Sequence, residues 1–355
     1  MSYNIPNIGK YRKILILICW PEGKKWLFYD NLCQILKPQL IQCDLVGANF
    51  PHGFKSSFYK VLFWWPRYIW VGIRAFWMKK DYDLVIAWQQ VEGFVFGFLK
   101  RVFKRTSPKL VILKFTFAAR KNRLYHYLRY RLIKYILAVT DCLCCLSKRE
   151  QTVRSKMFSF PIEKTRFLPL SITNLSEIQK KGVPTSNGNY IISVGKSNRD
   201  FKTLVHAMEG IKFELRIVTQ TSCLRGIHLP PNVKPFLDIF GDSVADLINQ
   251  SAFVVIPIDD PGFPGGESAI IEAMSFGKAI IATETNTTVE YIQDGVNGFL
   301  VTPNNEKKLR MAIKFLLSHP EEAKRMGENN LVKFEENYSV SASAKSLANL
   351  ILELV

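Results

Sequence analysis

Short apolar runs bounded by charged or turn residues recur along this 355-residue chain, with longer segments of helical spacing between them. In the first half the runs are Ile14 to Cys19, Leu84 to Ala87, Leu110 to Leu113 and Cys142 to Leu146. Unbroken apolar character over so few residues is the pattern of a strand covered on both faces, as a parallel sheet requires. Between these runs, Trp26 to Leu36, Gly93 to Phe103 and Arg123 to Ala138 carry apolar residues at helical spacing. A second series starts at Tyr190 and places strands near Phe213 to Val218, Phe253 to Ile258, Ala279 to Ala282 and Phe299 to Val301. The βαβα order calls for mostly parallel sheets covered by helices, with ligands at the C-terminal ends of the strands. The expected fold class is α/β, two Rossmann-like domains facing a cleft.

The least patterned stretch crowds Gly182, Pro184, Ser186, Asn187 and Gly188 together, a composition that suits a linker. The expected division is an N-terminal domain over 1–171, a linker over 172–189, a C-terminal domain over 190–336, and a terminal helix over 337–355 placed to pack back on the N-terminal domain. Charge follows the same division. Residues 1–170 hold 30 Lys and Arg against 9 acidic residues, whereas the whole chain carries +18, so the basicity belongs to the first half. Such a half faces an anionic partner.

Seven cysteines, an odd number, argue against a disulfide framework and for a reducing compartment. Cys142, Cys144 and Cys145 read as small buried residues of a strand. The run from Ile14 to Trp20 is too short to span a bilayer and has no small-residue cleavage site after it, so it reads as a first strand. Val61 to Met78 is longer, but Pro66, Arg67 and Arg74 interrupt it, and no transmembrane helix is expected.

The chemistry concentrates in Gly265-Gly266-Glu267-Ser268-Ala269-Ile270-Ile271-Glu272. Two glycines open a helix whose free backbone N–H groups, those of Glu267, Ser268 and Ala269, can receive an anion. Glu272, roughly one to two turns further on, can reach a vicinal diol beside that anion. Phosphates and ribose held together describe a nucleotide. Upstream, Gly195-Lys196-Ser197-Asn198-Arg199 follows the strand that ends at Val194, and a turn there presents Lys196 and Arg199 at the same end of the sheet.

From Ser193 to Tyr338 the chain resembles the C-terminal half of GT-B retaining glycosyltransferases of family 4, the glycosyl transferases group 1. The resemblance rests on Ser193-Val194-Gly195-Lys196, Leu204-Val205-His206-Ala207, Gly241-Asp242, Ser251 to Pro257, Glu272-Ala273-Met274, Gly277-Lys278, Glu290, Asp294 to Val301 and Pro303 in matching order and spacing. It implies a sugar moved from a nucleoside-diphosphate sugar to an acceptor hydroxyl with retention, in cell-surface polysaccharide or glycolipid synthesis. The N-terminal domain then takes the acceptor. Lys196 and Arg199 take the catalytic role of stabilising the departing diphosphate, and Glu272 holds the ribose. Gly195, Gly265, Gly266, Glu267, Ser268 and Ala269 complete the donor site. No cofactor and no metal are expected, the nucleotide sugar being a substrate.

The chain departs from the family at several points. The first glutamate of the E-x7-E motif is absent, with Pro264 in its place and Glu267 three residues later. The loop after Val194 is about two residues short, and Arg199 stands where lysine is usual. The first strand is followed by Gly23 alone among Pro21, Glu22, Lys24 and Lys25, and Lys114-Phe115-Thr116-Phe117 lacks the histidine that relatives carry after a middle strand. His52, His126, His206, His228 and His319 read as surface or packing residues. Asp81-Tyr82-Asp83 precedes a strand and reads as turn chemistry, not a metal site.

Three function classes fit these residues: the glycosyltransferase, a catalytically silent GT-B binding protein, and a basic nucleic-acid-binding protein. The last lacks any recognised module, so no nucleic acid is expected as partner. A further expectation concerns Lys55, Lys60, Arg67, Arg74, Lys79 and Lys80, interleaved with Phe58, Tyr59, Phe63, Trp64, Trp65, Tyr68, Trp70, Phe76 and Trp77. Aromatics at a headgroup boundary with cations facing anionic lipid would place the protein peripherally on the cytoplasmic face of a membrane, with a carbohydrate or lipid-linked acceptor. An aromatic core helix with solvated charges fits that stretch equally.

Overall fold

The four apolar runs of the first half form the inner strands of one parallel sheet. The computed structural model describes residues 11–21, 26–50, 57–78, 81–117, 122–169, 188–239, 241–259 and 265–355, without the side chains of 19–21, 48–50 and 57–64. Strands β1 (Arg12–Pro21), β2 (Ile41–Phe50), β3 (Leu84–Ala87), β4 (Lys109–Ile112), β5 (Cys142–Cys145) and β6 (Thr165–Phe167) pair in the order β2-β1-β3-β4-β5-β6. Every pairing is parallel. Ile14 to Ile18 and Leu84 to Ala87 are buried, as two-sided cover demands. Cys142, Cys144 and Cys145 are buried within β5, and burial pushes the Cys145 thiol up to about 12.

Asp83 fastens the start of this sheet. Its carboxylate accepts the Lys13 N–H at 2.8 Å, its own N–H donates to the Lys13 carbonyl at 2.9 Å, and its carbonyl accepts the Lys109 N–H at 3.0 Å. Three strand starts are thereby held by one residue, a structural duty for the Asp81 to Asp83 segment.

Helices α1 (Leu27–Leu36), α2 (Ser57–Trp77), α3 (Gln90–Val102), α4 (Arg123–Leu137) and α5 (Lys148–Phe158) belong to the same unit. α3 packs against α2 on one side and α4 on the other. Glycines bring them close: a Cβ on Gly72 would lie 2.7 Å from the Val95 side chain, and one on Gly97 would lie 2.7 Å from the Ile136 side chain. Lys55, Lys79 and Lys80 fall outside the described residues, as does nearly all of the expected linker.

In the second unit, β7 (Tyr190–Val194), β8 (Glu214–Thr219), β9 (Val233–Leu237), β10 (Val254–Ile256), β11 (Ile280–Thr283) and β12 (Gly298–Val301) pair in the order β12-β11-β10-β7-β8-β9, again all parallel. The chain leaves β7 toward β8 and β9, then crosses to β10 on the other side. The β7/β10 boundary is therefore a topological switch point, where open α/β sheets accept ligands. Helices α6 (Phe201–Met208), α7 (Asp242–Asn249), α8 (Glu267–Ser275), α9 (Thr288–Tyr291), α10 (Glu306–Ser318) and α11 (Pro320–Asn337) cover the two faces. One core gathers Ile192, Ile256, Ile270, Met274 and Phe334, and the other Phe201, Leu204, Phe253, Ile281 and Ile313.

Several residues that carried the family resemblance prove to be structural. Buried Lys278 donates to the Ser251 carbonyl at 2.8 Å, and burial lowers its pKa to about 8. The Asn297 amide group donates to the Tyr291 carbonyl at 3.0 Å and to Asn330 Oδ1 at 2.8 Å, while Asn330 donates back to the Lys278 and Asn297 carbonyls. Asp294 Oδ1 accepts the Leu300 N–H at 2.8 Å. The last helix, α12 (Val340–Leu354), lies beyond α11 in sequence, yet residues Ala344–Val355 belong with Met1–Leu168 in the first unit, whereas Pro169–Ser343 make up the second.

Candidate active site

Both glycine-bearing loops singled out in the sequence lie at the β7/β10 switch point. Gly195 closes β7 with a φ of +137°, and its N–H donates to the Val218 carbonyl at 3.1 Å. A Cβ there would lie 2.5 Å from Arg199 Nη2, so the guanidinium fills the space that any other side chain would need. Arg199 Nε donates to the Val194 carbonyl at 3.1 Å and Nη1 to the Ser197 carbonyl at 2.9 Å. Arg199 is thus a brace of its own loop as well as a cation. Burial lowers its pKa to about 10, which leaves it charged at neutral pH. Lys196 is exposed, and its carbonyl accepts the Cys223 thiol at 3.3 Å.

Asp200 turns the chain into α6 by accepting the Thr203 N–H at 3.0 Å, and its own N–H donates to the Pro257 carbonyl at 3.3 Å. Asn198, at a left-handed φ of +54°, puts Nδ2 3.4 Å from where a Cβ on Gly265 would sit. The loop after β7 and the start of α8 therefore lie side by side. A cavity of about 450 Å³ borders this loop, lined by Arg199, Asp200, Lys202, Thr203, His206 and Asp259 among others.

Gly266 is the N-cap of α8, with a φ of +92° and no side chain capping the helix. Its carbonyl accepts the first α-helical bond, from Ile270 at 2.9 Å, so the amides of Glu267, Ser268 and Ala269 precede the bonded turns. A Cβ on Gly266 would lie 3.2 Å from Ile256 and 3.3 Å from Ile258, which shows how closely the helix start is pressed onto the end of β10. Glu267 is half-buried, Ser268 exposed and Ala269 buried. Glu272 is half-buried, and burial alone raises its pKa to about 7. Pro264 lies outside the described residues.

In the first unit, the corresponding strand ends carry polar groups that the sequence reading did not single out. Gln89 N-caps α3 in a capping box with Glu92, accepting and returning hydrogen bonds across the first turn. Glu92 is fully buried, and burial raises its carboxyl to about 8. Gln90 Oε1 accepts the Thr116 N–H at 3.1 Å, joining the ends of β3 and β4. The sequence signal was the Gln-x-x-Glu spacing after an apolar run. Phe115 and Phe117 are core residues. A larger cavity of about 700 Å³, lined by Lys13, Phe76, Asp83 and Arg105 among others, lies at the opposite, N-terminal ends of these strands and is no part of the site.

His126 packs on Phe117, His319 stacks on Phe315, and His206 lies 3.8 Å from Glu306, while His52 falls outside the described residues. Among the described residues no cluster of His, Cys, Asp and Glu is arranged to hold a metal ion.

Residues 176–332 match the family model described as Glycosyl transferases group 1. An uncharacterized glycosyltransferase of Methanocaldococcus jannaschii is 28% identical over 142 residues, which is 38% of this chain and 39% of that protein. Such alignments span less than two-fifths of the curated relatives' length. Among solved structures, the sucrose-phosphate synthase of Thermosynechococcus elongatus superposes with a TM-score of 0.70 at 18% identity, covering 97% of this chain and 99% of that one. HepE of Anabaena, solved in complex with UDP-glucose, gives a TM-score of 0.62 at 16% identity over 96% of this chain and 99% of that one. These likenesses establish a GT-B-like fold of two α/β units.

Proposed function

We propose that the protein, whose residues 176–332 match the family model described as Glycosyl transferases group 1, is a glycosyltransferase using a nucleoside-diphosphate sugar as donor. The observation that carries the reading is the uncapped, glycine-opened start of α8 beside the loop 195–200, with Glu272 further along the same helix. In this reading the amides of Glu267, Ser268 and Ala269 receive the diphosphate and Glu272 accepts hydrogen bonds from the ribose diol. The bond from the sugar's anomeric carbon to phosphate breaks, and the acceptor oxygen bonds that carbon on the same face. The acceptor's proton leaves with the departing phosphate, so no pair of acid and base carboxylates and no metal is called for. The acceptor is a carbohydrate or lipid-linked hydroxyl in polysaccharide or glycolipid synthesis.

The test is a panel of nucleotide sugars offered to the purified protein, read by thermal stabilisation and by release of nucleoside diphosphate. One donor should stabilise the protein and be turned over when an acceptor is present. Stabilisation without turnover across a broad acceptor panel would favour a silent binding protein, and no response to any donor would reject the reading.

Lys196 and Arg199 face charge that grows as the diphosphate departs. Neutralising either should therefore lower kcat more than it raises the donor's Kd. Arg199→Lys should recover only part of the loss, because lysine keeps the charge but cannot bond both the Val194 and Ser197 carbonyls in one plane. Steady-state kinetics with separate donor titrations check this. Binding lost with kcat kept would reduce both residues to electrostatic anchors.

A further inference from the structure

α4 carries two apolar faces where one would suffice to fold it. His126, Tyr130, Ile133 and Leu137 make the inward stripe, with Ile133, Ile136 and Leu137 buried. At 100° per residue, Leu124, Leu128, Leu132 and Tyr135 form a second stripe on the opposite side of the same helix. It faces solvent: Leu124 is 68% exposed, Leu128 57% and Leu132 48%. α2 repeats the arrangement, with Trp65, Ile69, Ile73 and Trp77 exposed at every fourth position while Val71, Ala75 and Phe76 are buried.

α3 lies between these helices and joins their outer stripes. Trp77 meets Phe103, which follows α3, at 5.5 Å between rings, and Phe98 of α3 meets Tyr135 of α4 at 6.1 Å. Phe98 and Phe103 are both exposed. The result is one apolar, aromatic face across three neighbouring helices, far beyond the scattered exposed residues of an ordinary surface.

Charge identifies what covers it. α2 and α4 contain no acidic residue, and the only one in α3 is the buried Glu92. Arg74 lies over Trp70, Arg101 lies over Tyr135, and Lys104, Arg123 and Arg131 are exposed around the face. Apolar and aromatic groups rimmed by cations alone match the boundary of an anionic bilayer, where rings and leucines enter the headgroup region and each cation meets lipid phosphate. A protein partner would leave the rim cations unpaired unless it were itself strongly acidic. No described helix is long and apolar enough to cross a membrane, so the contact lies in the interface plane.

We infer that the outer face of α2, α3 and α4 docks the protein onto an anionic membrane surface, with α4 lying parallel to it. This deepens the lipid-linked acceptor reading and extends the contact beyond the segment expected from sequence to α4. Phe76, counted there among the interfacial aromatics, is instead buried in the core.

The experiment is co-sedimentation of the full chain with phosphatidylcholine vesicles and with vesicles that also contain phosphatidylglycerol, in the absence of any sugar donor. Binding should appear with the anionic vesicles and weaken as salt rises. Leu124→Ser/Leu128→Ser/Leu132→Ser should abolish it with an unchanged melting temperature, since those side chains are exposed. Lys104→Gln/Arg123→Gln/Arg131→Gln should lower partitioning by about a hundred-fold at low salt, at about 1 kcal/mol for each charge. If the serine variant melts early, the charge variant alone decides. Wild-type indifference to anionic lipid, or wild-type binding by the charge variant, would overturn the inference. So would a wild-type dimer that the serine variant dissolves without any vesicle binding, since a second copy would then cover the face. Donor turnover with a water-soluble acceptor should be unchanged in both variants, so failure of membrane docking and failure of the glycosyltransferase reading are distinguishable.

Discussion

Glu272→Ala should lower kcat/KM for the nucleotide sugar by about thirty-fold to more than a hundred-fold, the worth of roughly 2 to 3 kcal/mol of charge-assisted hydrogen bonding to ribose. The pH profile should report the same group. Its folded-state pKa is raised to about 7 by burial, and only the ionised form accepts both ribose hydroxyls. Donor affinity should therefore fall by roughly tenfold per unit as pH drops below 7. Stability runs the other way. A raised carboxyl favours the fold while protonated, and that contribution is lost as pH rises from the unfolded value through 7, so Glu272→Ala should not lower the melting temperature at pH 8. Kinetics and thermal melts across pH check both halves. An alanine variant with wild-type donor affinity and turnover would remove Glu272 from the site.

The second large effect is on the fold. Gly327 in α11 faces the Gly277 carbonyl so closely that a Cβ would collide with backbone, which cannot move aside as a side chain can. Gly327→Ala should destabilise the second unit by about 2 to 4 kcal/mol through overpacking, partly by forcing α11 off the turn whose Lys278 carbonyl Asn330 holds. Chemical denaturation with an unchanged m-value is the measurement. A cost below about 0.5 kcal/mol would mean that the helix shifts freely.

The inner strands were legible because two covered faces demand unbroken apolar runs. β1, β3, β4 and β5 lie within one or two residues of where the sequence put them, as do β8, β10 and β11, and so does the edge strand β12, whose Phe299 to Val301 keeps an apolar run. The unannounced strands, β2, β6 and β9, are all at sheet edges. With one partner strand apiece they tolerate Gln42, Asp44 and Gly47 in β2 and Pro235 in β9, which erase the apolar signal. The two site loops were legible for a similar reason, since glycine was needed at the positive φ of Gly195 and Gly266. Arg199's bracing bonds were not, because a run of five residues gives a charge without saying which carbonyls it meets. Likewise the outward stripe of α4 is at least as apolar as its inward one, and only burial separates them.

The passage of Ala344–Val355 into the first unit has a consequence for synthesis. Lys109 bonds the Leu354 carbonyl and Arg166 pairs with Glu353 at 3.3 Å, so α12 joins strands whose residues are made long before its own. During translation the second unit can emerge whole and fold while the first still waits. Until residues 344–355 are made, the flank of the first unit that they cover stands open.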